Sequence, residues 1–559
     1  MLDPARTPLL DRRTRGRRGT RWGSVAALAV LMSLALAWPQ TAQARGSAPT
    51  AAAPAAPAAP AAPAAPAAPA APAAAADTFA PGFSTSVLWD AQTPVVDALG
   101  RPVQGLRPRA GGAQGPGEIE FGAHGDAVVS EKAGRLLYFA GPDADSGVLL
   151  TDRSGRGLDQ DTLAVRDTGM GGIALDPMWP RRPYLYVLYT SNLKHPSQGP
   201  GRWSEAECWD GQSCVVNGRL ERLTIRTRTA GGQQVRYIAH RRTLIRDQWC
   251  QVANTHSVGD LTFGRDGALY ASAGDGTPNG PVSTLQQQSC GFAPDEHPRL
   301  ATLDVLDPGA APVSLNGKIL RLNPSTGSAA LGNPEGGSSD PNRARVVASG
   351  LRNPYRMAFR PGSSTLAVTV VGEGRHEAVY ELPDPRAGAV TNNAGWPCVE
   401  VSEPFQGGPP CAGLSIAEGT VTAPAATWVH GQPLADEPCD PGGPNAAMGV
   451  AYGGLWAPSR IRSALFFGDY GRGCLWMRPD GGSPRFVAQL PRHSVRDLTT
   501  GPGGMIYLPD YQAGAVRRLE VDGSAAVSSR ASAPGSTQTA RPPAPRASTA
   551  GRARGAPRR

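Results

Sequence analysis

Long apolar segments, helical periodicity and closely spaced cysteine pairs are all scarce in this 559-residue chain. The extended apolar run Val25–Trp38 covers 14 residues, short of the roughly 20 that a bilayer-spanning helix needs. That excludes a chain built around membrane helices. The eight cysteines include no C-x-x-C pair and no His/Cys group at zinc spacing, which excludes a thiolate zinc site and a haem attached through C-x-x-C-H. The few helical periodicities between residues 78 and 523 argue against a helical bundle or an alternating α/β fold.

What is present at the two ends is compositional. Six arginines between Arg12 and Arg21 precede the apolar run, and the small residues "TAQA" follow it. Residues 1–44 therefore read as a secretory signal cut after Ala44, and nothing in the mature chain is expected to cross a membrane. Residues 45–77 form an Ala/Pro-rich linker, in which a proline at every third position denies a helix its donors. Residues 524–559, rich in Ser, Ala, Pro and Arg and without an acidic residue, are expected to be a disordered basic tail. The formal charge of +9 belongs to these ends: residues 1–45 carry +6 and residues 524–559 carry +7, leaving −4 for the middle. A mildly acidic body excludes a nucleic-acid groove, so no nucleic-acid partner is expected.

All eight cysteines lie in that middle. An even number behind a signal sequence points to disulfides in an oxidising compartment, secreted or periplasmic. Our expected pairing is Cys208–Cys214, Cys250–Cys290, Cys398–Cys411 and Cys439–Cys474, although sequence alone leaves many connectivities open.

The middle repeats one pattern: an apolar strand, a Gly-bearing reversal and a second, alternating strand. It recurs from Ile119, Leu261, Met357 and Leu498 ("LTFGRDGALYASAGD" is one example). Recurrent hairpins without an internal linker favour an all-β, six-bladed β-propeller with four-stranded antiparallel blades over two β-sandwiches. In such a ring the site belongs to connecting loops and the central channel, and the long irregular segments 275–315 and 382–450 are where it is expected.

Several segments, in order, resemble the glucose/sorbosone dehydrogenase family of soluble quinoprotein sugar dehydrogenases. They are "GGIALDPMWPRRPYLYVLYT" (171–190), "HSVGDLTFGRDGALYASAGD" (256–275), "SLNGKILRLNPSTG" (314–327), "GLRNPYRMAFRPG" (350–362), "GWPC" (395–398) and "LFFGDYGRGCLWMRPDGG" (465–482). The resemblance spans nearly all of residues 78–523. It implies a six-bladed propeller holding pyrroloquinoline quinone (PQQ) and calcium, which oxidises a sugar or polyol hydroxyl and passes electrons to an external acceptor. By the same resemblance His256 falls on the general base. Arg352, Asn353, Arg496, Asp167 and Trp428 fall on or near cofactor contacts, Asp167 where the best-known members have glutamine. Gly372 and Glu373 fall where backbone carbonyls bind calcium. The residue types suit the chemistry, because imidazole accepts protons near neutrality, guanidinium pairs with carboxylates and calcium takes oxygen ligands. Trp396 and Lys318 read as structural.

Two positions depart from the family pattern. Gly471 stands where a cofactor-contacting lysine is expected, and Ser494 replaces the first of two arginines spaced two apart. Arg472, beside Gly471, should point to the opposite face. These departures favour an alternative, a non-catalytic propeller that binds a glycan or a protein. A third reading, a calcium-dependent lactonase, needs acids such as Asp260, Asp275 and Glu377 to converge.

Overall fold

Each hairpin read from the sequence becomes the inner half of a sheet. Phe121 pairs with Ala127, Phe263 with Leu269 and Phe359 with Leu366 across their reversals. The computed structural model describes residues 77–110, 114–198, 201–204, 215–278, 284–292, 297–406 and 411–522. The signal, nearly all of the linker, the basic tail and the Cys208–Cys214 pair lie outside the described residues.

Six antiparallel sheets follow one another as blades, together with a separate two-stranded ribbon. Blade I runs from Pro116–Phe121 outward to Gly147–Leu149, and Val95–Asp97 adds to its edge in parallel. Blade II begins at Met170–Leu175 and ends in a long hairpin, Val216–Ala230 with Gln233–Gln251. Blade III begins at Val258–Phe263, blade IV at Pro354–Phe359 and blade V at Ala447–Tyr452. Blade VI takes Thr499–Thr500, Ile506–Asp510 and Ala515–Val521 from the end of the chain and Phe83–Trp89 from its beginning. Pairing of Thr85 with Leu519 thereby closes the ring with antiparallel hydrogen bonds and leaves no open seam.

Apolar clusters lie between blades rather than within them. Tyr186, Leu188 and Leu220 of blade II pack with Leu261, Leu269 and Ala271 of blade III. Because a neighbouring blade covers each face, strands such as Leu269–Ala273 and Lys318–Leu322 are buried at every position, and the polar/apolar alternation of a half-exposed strand is lost. Lys318 is structural, its ammonium 3.0 Å from Asp304 and bonded to the carbonyls of Ala301 and Asn316.

At the centre, buried Arg356 donates to the carbonyls of Gly171 (2.9 Å) and Gly117 (3.0 Å) and lies 3.1 Å from Asp497. Glu118 accepts the Ile173 N–H and Asp260 the Met357 N–H, so each carboxylate stitches one inner strand to the next. Burial pushes the Asp497 carboxyl up to about 7 despite Arg356, and raises Glu118 and Asp260 as well. Three disulfides of the expected set are formed: Cys250–Cys290, Cys398–Cys411 and Cys439–Cys474. Among the described residues no helix is long and apolar enough to cross a membrane.

Candidate active site

Just before an inner strand begins, the chain turns onto one face of the ring, and several blades deliver a functional side chain there. Asp167, His256, Arg352 with Asn353, Asn445 and Arg496 all occupy such positions. Together they line one cavity of about 340 Å³. Most of the expected site residues are thus brought together from segments distant in sequence. Of the two long segments singled out, 382–450 contributes to the lining through His430, Pro444–Ala446 and Met448, whereas 275–315 contributes none of it.

His256 is buried, at φ = +44°, a region that non-glycine residues seldom adopt. Its Nδ1 lies 2.7 Å from Asp275 Oδ1. Burial works against the Asp275 charge, but His256, then Arg352 and the Thr277 N–H, hold its carboxyl below the usual range. An ionised carboxylate only accepts hydrogen bonds, so His256 donates through Nδ1, and in the neutral ring Nε2 is the acceptor. Asp275 is itself fixed by Trp396 Nε1 (2.9 Å) and the Thr277 N–H (3.0 Å). The loops are joined through backbone, with the Asp275 N–H on the Arg352 carbonyl at 2.7 Å and the Gly276 N–H on the His256 carbonyl at 3.1 Å. Gly274 permits this approach, since a Cβ there would stand 2.4 Å from the His256 carbonyl oxygen. Sequence reading named Asp275 only as a possible acid of the lactonase reading and Trp396 only as structural, and missed that both stand behind His256. The signal for Asp275 is the glycine pattern "AGDG", which marks a close backbone approach without naming the partner.

Arg352 binds Glu373 through Nε at 2.8 Å and the Val371 carbonyl at 3.0 Å. Arg299 meets the other Glu373 oxygen at 3.2 Å, and both guanidiniums lie over Trp396. Arg496 differs. It is buried between the rings of Tyr511 (4.8 Å) and Tyr355 (5.8 Å), its Nε has no hydrogen-bond partner, and no carboxylate among the described residues pairs with it. Such a guanidinium, lining a cavity, fits an anionic ligand.

Trp428 is not at the cavity. It stacks on Phe467 in the blade core, packs at a tilt against Trp476 and bonds Asp469 through Nε1; the residue presented to the cavity is His430, just beyond the strand Ala426–Val429. His430 Nε2 lies 2.8 Å from Glu377, a bond that raises its titration above the ordinary histidine value. Gly471 lines the cavity, but a Cβ there would meet the Pro444 carbonyl oxygen at 1.9 Å, so this backbone has no room for the expected lysine. Arg472 points into its blade, where it pairs with Glu437. Lys132 of blade I, a cation that sequence reading passed over, lines the cavity.

Gly372 and Glu373 both line the cavity. Among the described residues no group of three His, Cys, Asp or Glu side chains is placed to hold a metal ion. A calcium ion here would rest on backbone carbonyls, ligand oxygens and water. Asp260, Asp275 and Glu377 do not converge: Asp260 serves the central arginine, Asp275 holds His256 and Glu377 holds His430.

The ring of six blades thus gathers a histidine–aspartate pair and buried guanidiniums at one cavity. The Glucose / Sorbosone dehydrogenase family model matches residues 113–518, and the chain belongs to that family, a class of sugar oxidoreductases. Among solved structures, a glucose dehydrogenase is similar at 17% identity, covering 79% of this chain and 100% of that one with a TM-score of 0.51. The PQQ-bound aldose sugar dehydrogenase of Streptomyces coelicolor is similar at 18% identity over 80% of this chain and 100% of its own, TM-score 0.46. The apo aldose sugar dehydrogenase of Escherichia coli is similar at 19% identity over 78% and 99%, TM-score 0.45. No curated protein matches the chain.

Proposed function

We propose that this protein is a PQQ-dependent dehydrogenase that oxidises a hydroxyl of an aldose or related polyol, with His256 as general base. The observation that carries the reading is the buried His256–Asp275 pair at 2.7 Å opening onto a cavity lined by Arg352, Asn353 and Arg496. The quinone, when bound, supplies the acceptor for hydride from the hydroxyl-bearing carbon. Nε2 of His256 takes the hydroxyl proton, and Asp275 stabilises the imidazolium that results. Arg496, which pairs with no carboxylate among the described residues, offers its guanidinium to a carboxylate of the cofactor, while Asn353 and Arg352 orient the ring from the blade next to that of His256; Asp167 lines the same cavity. Calcium would be held through the carbonyls of Gly372 and Glu373. Electrons leave to an external acceptor, and the disulfides support a secreted or periplasmic setting. In this reading residues 1–44 are the signal, 45–77 the linker and 524–559 a basic tail.

The blocked position at Gly471 favours the second reading, a propeller that binds a glycan or protein without redox chemistry. Reconstitution separates the two. Purified protein is incubated with PQQ and calcium, and reduction of a dye is followed over a panel of sugars. Turnover that is lost in His256→Ala supports the dehydrogenase; absence of turnover with every sugar supports the binding propeller.

A further inference from the structure

The cavity lacks the family's lysine at Gly471 and the arginine at Ser494, yet a cation stands on another wall. Lys132 directly follows the second strand of blade I, Ala127–Glu131, and its backbone is tied on both sides: its N–H donates to the Gly115 carbonyl, and its carbonyl accepts from the Met170 N–H at 2.8 Å. Its ammonium reaches the Arg166 carbonyl. Gly169, at φ = +146°, lies against it, and a Cβ there would meet the Lys132 side chain at 2.8 Å. The lysine is therefore held in place, with Arg496, Asp167 and Arg109 among its charged neighbours.

We infer that Lys132 and Arg496 together form the carboxylate-binding end of the cavity, with Lys132 supplying from blade I the positive charge that Gly471 cannot carry. The inference rests on the cofactor reading for the identity of the natural ligand, but its geometry does not. Two cations line one cavity, Arg496 has no carboxylate partner among the described residues, and of the lining acids Asp167 is the one that acts on Lys132. Burial, and next Arg496, pull the Lys132 ammonium down to about 7, with Asp167 opposing and Arg109 adding to the shift. An anion placed between the two would relieve that repulsion. This chain thus recovers, from blade I, one of the two cations that a quinone tricarboxylate site of this family has and Gly471 and Ser494 lack.

The test uses two ligands on the full chain by titration calorimetry: PQQ, and the redox-inert pyridine-2,6-dicarboxylate. Lys132→Met should weaken both by about 10- to 100-fold, whereas Lys132→Arg stays within a few-fold of the parent. Lys132→Gln serves as the comparison if the Met variant lowers the melting temperature. Equal affinity of parent and Met variant for both ligands overturns the inference and leaves the cofactor reading intact. Binding of the dicarboxylate by the parent in a Lys132-dependent way, without binding of PQQ, supports the cation pair and defeats the cofactor reading. Failure of the parent to bind either ligand overturns both.

Discussion

Replacing Asp275 with Asn isolates the contribution of one charge. The carboxylate accepts from three donors, His256 Nδ1, the Thr277 N–H and Trp396 Nε1. An amide oxygen can keep the His256 and Thr277 bonds only by turning its NH₂ toward the Trp396 N–H, which leaves that indole without an acceptor at a cost of about 1–3 kcal/mol in stability. More telling is the loss of charge. The bond to His256 is charge-assisted once the ring has taken a proton, and losing that assistance is worth about 1.5–3 kcal/mol. In a rate this is roughly 10- to 150-fold. Asp275 does not line the cavity, so the fall should appear in kcat of the reconstituted enzyme with KM little changed. Stability should also change its pH dependence. The folded Asp275 carboxyl titrates below its unfolded value, so the parent draws stability from it above about pH 4 and loses that stability as pH falls through the folded value. Melting curves of Asp275→Asn should lack that part of the acid limb. A variant with parental kcat and a parental acid limb would refute the reasoning.

Further outcomes follow from the same geometry. Gly471→Lys, which restores the family residue, should lower the melting temperature and not tighten quinone binding, because its Cβ meets the Pro444 carbonyl oxygen; tighter binding in calorimetry would contradict this. Arg356→Met leaves Glu118, Asp260 and Asp497 without their counter-charge and should destabilise by about 3–5 kcal/mol near pH 8, with a smaller loss near pH 5 where the acids take up protons; denaturant melts at the two pH values check it. Glu377→Gln should flatten the fall in stability above about pH 6.5, since the raised His430 titration contributes stability below its unfolded value that is lost as pH rises through the folded one. Reduction of Cys439–Cys474, which closes a 35-residue separation, should lower stability by about 4 kcal/mol, read in melts with and without reductant.

The hairpins were legible because their reversals carry local signals: Gly125 between Phe121 and Ala127, and Gly267 between Phe263 and Leu269, both hold positive φ. Three disulfide pairs were legible too. Closure of blade VI by Phe83–Trp89 was not, because Thr85 and Leu519 meet across almost the whole chain and neither strand marks its partner. The candidate base was found through its place before "GDLTFG", but the residue that orients it was not, since Asp275 acquires its role only when two loops and Trp396 come together. Trp428 misled because an aromatic near the right position says nothing about whether it faces the cavity or the blade core. Lys132 was invisible for a related reason: nothing in "SEKAG" announces that the strand's end faces the same cavity as "HSVRD".

The central claim is that the cavity at one face of the ring holds a quinone beside His256, which takes the hydroxyl proton as hydride leaves. Its most direct test is a single-turnover mixing experiment, in which protein preloaded with PQQ and calcium meets excess sugar and the quinone absorbance is followed. The account predicts sugar-dependent bleaching in the parent and bleaching slowed at least about 100-fold in His256→Ala. Equal rates in the two proteins, or no bleaching with any sugar, would contradict it.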